Sequence, residues 1–457
     1  MNFNDADLII KYSHKISELT RLAEKNNNIE SEMYEKYDVK RGLRDKHGVG
    51  VLCGLTEISE VTSWKIANGE RIPVPGVLCY RGYDVKDLVR HCVEENRFGF
   101  EETVYLLLFG KLPATNEISE FNEMLSEFRQ LPKNFVRDVI MKSPSSDMMN
   151  MLARCVLNLY SYDPDPDNVS LSNVLRQSLQ LIAELPMLAA YSYRAYRYYN
   201  TDDGSLVIHK PVSEYSTAQN VLHVLRKDSA FTDLEAKVLD VCLTLHADHG
   251  GGNASTFTTH LATSTGTDTY SSIAASLGSL KGPKHGGANI KVMQMFENIR
   301  KNVKTSAKTK VYDYVAKILN GKAFDRTGLV YGMGHAVYTV SDPRAEVLKL
   351  YAGKLAEAKG REDEFALYET VAAAASEIIC NQKNLDKPVN PNVDFYSGFV
   401  YSMLNLPEAL YTPLFAIARI AGWSAHRMEE LVSGGKIIRP AYECVQERRA
   451  YIPLDKR

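Results

Sequence analysis

Apolar residues recur at helical spacing along most of this chain, and that period restricts it to a predominantly helical fold. Leu367, Val371, Ala374, Ala375 and Ile378 follow one another at helical intervals and share one face. Val311, Val315, Ile318 and Leu319 repeat the pattern, with Asn320-Gly321 as a C-terminal stop. Leu179, Ile182, Ala183 and Leu185 predict a further helix, kinked or broken at Pro186. Extended character is confined to residues 50–80, where Asn68-Gly69 stands like a hairpin turn between Trp64-Lys65-Ile66 and Arg71-Ile72. The expected fold class is therefore mainly α with a minor β-hairpin region. No repeat, heptad run or low-complexity linker stands out. Glycine and proline cluster around 282–287, 332–343 and 388–398, where a helical protein exposes its loops.

A chain of 457 residues can bury a large core and has room for two or three domains. Its 54 basic and 56 acidic side chains nearly cancel and form no long block, which argues against a nucleic-acid partner. The apolar runs are too short and interrupted to span a bilayer. The first residues, Met1-Asn2-Phe3-Asn4-Asp5, lack the basic and apolar regions of a signal peptide, so either a cytoplasmic protein or a mature chain already relieved of its targeting segment is expected. Seven widely spaced cysteines, with no Cys-x-x-Cys pair, argue against a disulfide framework and a thiolate metal site.

Chemistry-bearing residues gather in four glycine-rich stretches. Five of the eleven histidines fall between 246 and 335. In His246-Ala247-Asp248-His249-Gly250-Gly251-Gly252-Asn253, two histidines three apart can share a helix face and ligate a metal with Asp248 or His260. The alternative is one histidine serving a buried carbonyl and the other facing solvent. In Lys281-Gly282-Pro283-Lys284-His285-Gly286-Gly287, His285 falls at or before a helix start, where the dipole disfavours imidazolium. A neutral imidazole there can donate a hydrogen bond to an enolate oxygen; otherwise it is an ordinary loop histidine. Gly332-Met333-Gly334-His335-Ala336 precedes Ser341-Asp342-Pro343-Arg344. Asp342 and Pro343 suit N-cap and N1 positions, so Arg344 lies in a first turn that opposes a cation, and either faces an anion or lies in solvent.

In Asn390-Pro391-Asn392-Val393-Asp394-Phe395, Asp394 either caps the next helix or is a desolvated general base. Arg419 lies in a segment apolar on nearly every face, and a buried guanidinium needs a carboxylate partner. Arg439, between Ile438 and Pro440, is again basic among apolar residues. Each arginine is either half of a structural ion pair or, with the others, part of a pocket for a small dianion.

Taken in order, these stretches resemble the citrate synthase family. Tyr80-Arg81-Gly82-Tyr83-Asp84 and Leu181-Ile182-Ala183-Glu184-Leu185-Pro186 upstream are similar as well, so the resemblance covers roughly residues 70 to 440. It implies a two-domain helical homodimer: a large domain from 1–285 and 399–457, and a small one at 286–398. It also implies condensation of acetyl-CoA with oxaloacetate to citrate and CoA, without a metal or redox cofactor. By the same resemblance Asp394 removes the acetyl proton, His285 stabilises the enol or enolate, and His335 polarises the oxaloacetate ketone. His249, Asn253, Arg344 and Arg419 hold oxaloacetate, with Arg439 reaching in from the neighbouring subunit. Where several relatives place a basic residue for CoA phosphate, this chain has Tyr338-Thr339, so Lys387 becomes the candidate CoA contact. Two rival readings stand beside it: a 2-methylcitrate synthase using propionyl-CoA, and a metal-dependent hydrolase built on His246 and His249.

Overall fold

The computed structural model describes residues 5–45, 48–67, 70–201, 205–303, 308–335, 337–384 and 388–457. The chain divides into two compact units, Met1–Leu55 and Thr56–Arg457. In the first, helices α1 (Asp5–Asn26) and α2 (Ser31–Lys36) precede a turn at Arg41–Leu43. The Arg41 guanidinium lies 4.2 Å from the Tyr34 ring centroid.

The second unit begins with a three-stranded antiparallel sheet, β1 (Ser59–Ala67), β2 (Glu70–Tyr80) and β3 (Tyr83–Asp84), in the order β1-β2-β3. Pairing runs from Ser59↔Tyr80 to Ala67↔Glu70, with a register shift between Thr62 and Trp64. The extended region thus lies where the sequence places it; the Asn68-Gly69 turn lies outside the described residues.

Among the described residues, everything after the sheet is helical or loop, apart from the isolated bridge Met333↔Pro391. The helices α3 (Val85–Glu94), α4 (Phe100–Phe109), α5 (Thr115–Phe128), α6 (Met148–Leu159) and α7 (Leu171–Asn200) come first. Next are α8 (Thr217–Leu225), α9 (Asp233–His246), α10 (Ala254–Ser264), α11 (Thr269–Lys281), α12 (Ala288–Asn302) and α13 (Lys308–Leu319). Last come α14 (Pro343–Lys359), α15 (Glu362–Lys383), α16 (Val393–Met403) and α17 (Tyr411–Val432). The chain ends in a largely non-helical segment that leaves Ile437, Tyr442, Tyr451 and Leu454 exposed.

Local chemistry explains where these helices stop and start. Val311, Val315 and Ile318 are buried on α13 as their spacing requires. Gly321, at φ +66°, then lets Lys322 N–H reach the Lys317 carbonyl at 2.8 Å and close the helix. Asp342 caps α14 through Arg344 N–H at 3.0 Å, with Pro343 at N1. One expectation fails: α7 neither breaks nor ends at Pro186 but continues to Asn200. Its residues from Leu181 to Ala190 are all buried, and that packing offsets the hydrogen bond the proline removes.

The core centres on α17, which packs against α7, α10, α4 and α9. From Ala416 to Met428 it is buried all round, including Trp423. Each large side chain removed from water there contributes roughly 1.5–3 kcal/mol. At Gly422 the helix touches the loop after α9: its N–H donates to the Ala247 carbonyl at 3.1 Å. A Cβ there would fall 2.3 Å from Asp248 Oδ1, so only glycine allows this approach.

Candidate active site

Four segments converge on α17. The loop after α9 carries His249, and Tyr80 of β2 holds that loop by donating to the Thr244 carbonyl at 3.0 Å. Arg419 Nε donates to the His246 carbonyl at 2.8 Å. Phe415, one turn earlier on α17, lies 4.7 Å from the Arg419 guanidinium carbon. Its ring is 4.9 Å from that of His246 and 6.4 Å from that of His285, centroid to centroid. The Arg419 charge bears on His246, His249, His285 and Asp394 alike.

The His335 loop and the start of α16 are laced together. Gly334 N–H donates to the Asn390 carbonyl at 2.9 Å, and Asn392 N–H to the Gly332 carbonyl at 2.8 Å. The Asn392 amide donates to the Gly334 carbonyl at 2.7 Å. Asn392, and not Asp394, caps α16: its Oδ1 accepts from Asp394 N–H at 3.0 Å. Asp394 therefore stands in the first turn with its carboxyl unspent on capping. Burial raises that carboxyl to about 6, against the pull of Arg344 and Arg419.

His335 Nδ1 accepts from Val337 N–H at 3.0 Å and Tyr338 N–H at 3.2 Å. A neutral ring so held carries its proton on Nε2, the atom facing Arg344 Nη2 at 3.5 Å. The His335 ring stacks on Tyr338 at 4.8 Å and meets His249 edge-on at 5.3 Å. His285 Nε2 lies 3.0 Å from Ser255 Oγ, which also receives Trp423 Nε1–H at 3.2 Å. Burial, with Arg419 adding to it, pulls His285 down to about 4. It is thus neutral as expected, but desolvation is the reason, since α12 begins only at Ala288.

The arginines differ. Arg344 is buried and faces an anion of its own chain: Nε meets Asp342 Oδ1 at 3.0 Å and Nη2 meets Oδ2 at 2.8 Å. Asp342 Oδ2 also accepts from Val393 N–H at 3.1 Å, joining Arg344 to the helix that carries Asp394. Arg419 is fully buried, yet Nη1 and Nη2 bond to nothing in the protein. His249 Nε2 and the Tyr338 hydroxyl are likewise buried and unbonded. Leaving such donors dry costs about 1–3 kcal/mol each. The Arg419 and Arg344 charges bear on His249, and that of Arg344 on Tyr338, so these groups gather in one region suited to an anion with several acceptor atoms. Beside it, a cavity of about 500 Å³ is bounded by Pro73, His335, Thr339, Asp342, Pro388 and Asn390.

Not every sequence candidate joins this cluster. Asn253 Oδ1 caps α10 and accepts from Ser255 Oγ at 2.9 Å, so it reaches the site through Ser255. Arg439 is exposed in the C-terminal segment, which corrects its apolar setting. Lys387 lies outside the described residues. The two histidines weighed as a metal pair have different surroundings. His246 Nδ1 donates to the Cys242 carbonyl at 2.7 Å, and burial with Arg344 and Arg419 nearby holds the ring down at about 3. Asp248 Oδ2 is engaged by Ser59, by Gly250 N–H and by His426, while Oδ1 is buried without a hydrogen bond and the carboxylate lies in the field of Arg419. Sequence reading missed Tyr338, Asp342 as a clamp, Ser255, Phe415 and Trp423. Only Asp342 left a signal, as an N-cap two residues before a buried arginine.

Fold and site together define a mainly helical enzyme of acyl chemistry, with neutral imidazoles, one raised carboxyl and unpaired guanidinium donors around an anion-sized space. The chain belongs to the citrate synthase family: the family described as "Citrate synthase, C-terminal domain" matches residues 47–441. It is 35% identical over 389 residues to the citrate synthase of Synechocystis sp., covering 84% of this chain and 88% of that one. It is 31% identical over 425 residues to 2-methylcitrate synthase 2 of Corynebacterium glutamicum, covering 92% and 98%. The crystal structure of citrate synthase from Pyrobaculum aerophilum is similar at TM-score 0.73 and 29% identity, covering 90% of this chain and 94% of that one. A Thermoplasma acidophilum citrate synthase, solved as a ternary complex with carboxymethyl coenzyme A and oxaloacetate, matches at TM-score 0.73 and 26% identity, covering 91% and 99%. Among the described residues, no helix is long and apolar enough to cross a membrane.

Proposed function

We propose that this protein condenses acetyl-CoA with oxaloacetate through an enol or enolate, then hydrolyses citryl-CoA to citrate and CoA. The observation that carries the reading is the pair of buried, unbonded guanidinium nitrogens of Arg419 beside His249 Nε2. Oxaloacetate supplies the two carboxylates and the ketone that such donors take. Arg419, His249 and Arg344 bind it, and Asp342 holds Arg344 in place. The Nε2–H of His335 polarises the ketone, making its carbon electrophilic.

Asp394 takes a proton from the acetyl methyl group while His285 hydrogen-bonds the thioester oxygen as negative charge develops there. A carboxyl raised to about 6 is a stronger base than an ordinary aspartate and is still largely ionised at pH 7. The enol carbon then attacks the ketone, forming one carbon–carbon bond, and the former ketone oxygen takes up a proton. Water finally cleaves the thioester. The thioester chain lies in the cavity beside His335 and the 388–391 loop, with Lys387 reaching the CoA phosphates. Residues 286–398 act as a smaller domain that closes after oxaloacetate binds, excluding water from acetyl-CoA. The molecule works as a homodimer in which exposed Arg439 completes the neighbour's site.

The similarity to a 2-methylcitrate synthase supports a second reading, in which propionyl-CoA is the donor. One methylene changes pocket binding by only about 1–3 kcal/mol, so the two donors are compared directly. The test is CoA release from each acyl-CoA, with and without oxaloacetate. Oxaloacetate-dependent release, faster with acetyl-CoA, supports the first reading. Faster turnover of propionyl-CoA selects the second, and release indifferent to oxaloacetate removes both.

A further inference from the structure

We propose that His260, His426 and Glu429 form a binding site for one divalent transition ion, zinc foremost, beneath the anion pocket. Among the described residues their three ligand atoms, one from each, lie within 4.8 Å of one another. His426 and Glu429 are three apart on α17 and face the same way; His260 comes from α10.

The orientation of the rings carries the argument. His260 Nε2 and His426 Nδ1 face each other at 3.2 Å. Two imidazole nitrogens at about 2.0–2.1 Å from one zinc ion, near the tetrahedral angle, stand at this separation. Each ring points its other nitrogen at a carboxylate: His260 Nδ1 at Glu430 Oε2, 2.9 Å away, and His426 Nε2 at Asp248 Oδ2, 3.3 Å away. Metal-bound histidines are oriented by such carboxylates, which raise their basicity and fix the tautomer. Glu429 Oε2 lies 3.7 Å from His426 Nδ1 and is buried without a hydrogen bond, while Oε1 is held by Glu57 N–H at 2.7 Å. Gly251 passes close over the two nitrogens: an added Cβ would lie 3.4 Å from His260 Nε2 and 3.8 Å from His426 Nδ1.

Two imidazoles, one carboxylate and water suit zinc better than calcium or magnesium, which prefer oxygen ligands. The ion would clamp α10 to α17. Through His426 and Asp248 it would also steady the loop carrying His249. Without an ion, the two facing nitrogens must share a proton, leaving an imidazolium in the core beside Asp248.

The full-length protein is stripped with chelator and dialysed against graded zinc chloride, and bound zinc is counted per chain. His260→Ala and Glu429→Gln are treated alongside, with circular dichroism to confirm folding. One zinc per wild-type chain, weakened at least tenfold in either folded variant, is the expected result, with zinc raising the melting temperature of the wild type alone. Cobalt in place of zinc should give the strong visible absorption of four-coordinate geometry. Equal uptake by wild type and both variants would assign the zinc to exposed groups such as Cys53 and Cys444 and overturn the proposal. So would an absence of zinc binding at micromolar concentration, which would leave the shared-proton arrangement in its place. Neither readout depends on catalytic turnover.

Discussion

Replacing Arg419 with methionine should weaken substrate binding far more than it changes the stability of the protein without ligand. In the protein alone, Nη1 and Nη2 are buried and bond to nothing. At about 1–3 kcal/mol for each dry donor, removing both relieves roughly 2–6 kcal/mol. Against this, the His246 carbonyl loses its 2.8 Å partner and Phe415 loses a cation 4.7 Å away. Those losses cost about 1–3 kcal/mol and about 0.5–2 kcal/mol. The relief of about 2–6 kcal/mol and the losses of about 1.5–5 kcal/mol nearly cancel, so R419M should melt close to the wild-type temperature without ligand. With oxaloacetate the two proteins should separate. Two charge-assisted hydrogen bonds at about 1.5–3 kcal/mol each are lost, weakening binding by roughly 10²–10⁴-fold. Thermal denaturation of both proteins over an oxaloacetate series reads both effects, because a ligand that binds only the folded state raises its stability. An R419M protein that melts far below wild type without ligand, or that gains as much from oxaloacetate, would refute the assignment of Arg419 to the anion pocket.

Replacing Asp394 with asparagine should lower kcat by about 10²–10⁴-fold while leaving oxaloacetate affinity near wild type; undiminished turnover would send the proton to another base. Because a base must be unprotonated and burial raises this carboxyl to about 6, wild-type kcat/KM should fall as pH drops through about 6. His285, held at about 4, stays neutral throughout that range, so a limb that moves in the Asp394 variant identifies the aspartate. Asp342→Asn leaves Arg344 buried without its counter-charge and should destabilise the fold by about 3–5 kcal/mol, read in denaturant unfolding. Tyr338→Phe keeps the stack on His335 and deletes a buried, unbonded hydroxyl. It should raise the oxaloacetate KM with kcat little changed, whereas Tyr338→Leu, which loses the stack, should lower kcat as well.

Helical period was legible from end to end because an apolar face repeats every three or four residues wherever a helix lies on a core. The caps at Asp342 and the stop at Gly321 were legible for the same local reason: their hydrogen bonds close within a few residues. Pro186 shows where such reasoning ends. Locally it breaks a helix, yet burial on all sides of α7 outweighs one missing hydrogen bond. Motif order pointed to the four loops and to the residue types they carry, since glycines beside histidines mark close backbone approaches. What Arg419 and His249 face came only from long-range packing. Arg344 and Arg419 read alike as basic residues in apolar runs, but one finds a carboxylate two residues away and the other only the His246 carbonyl, with Nη1 and Nη2 unbonded. Likewise His246 and His249 share a motif, while one ring is spent on a backbone carbonyl and the other keeps a bare nitrogen. The His246 carbonyl that Arg419 meets lies 173 residues away in the chain, and no spacing within one segment encodes that meeting.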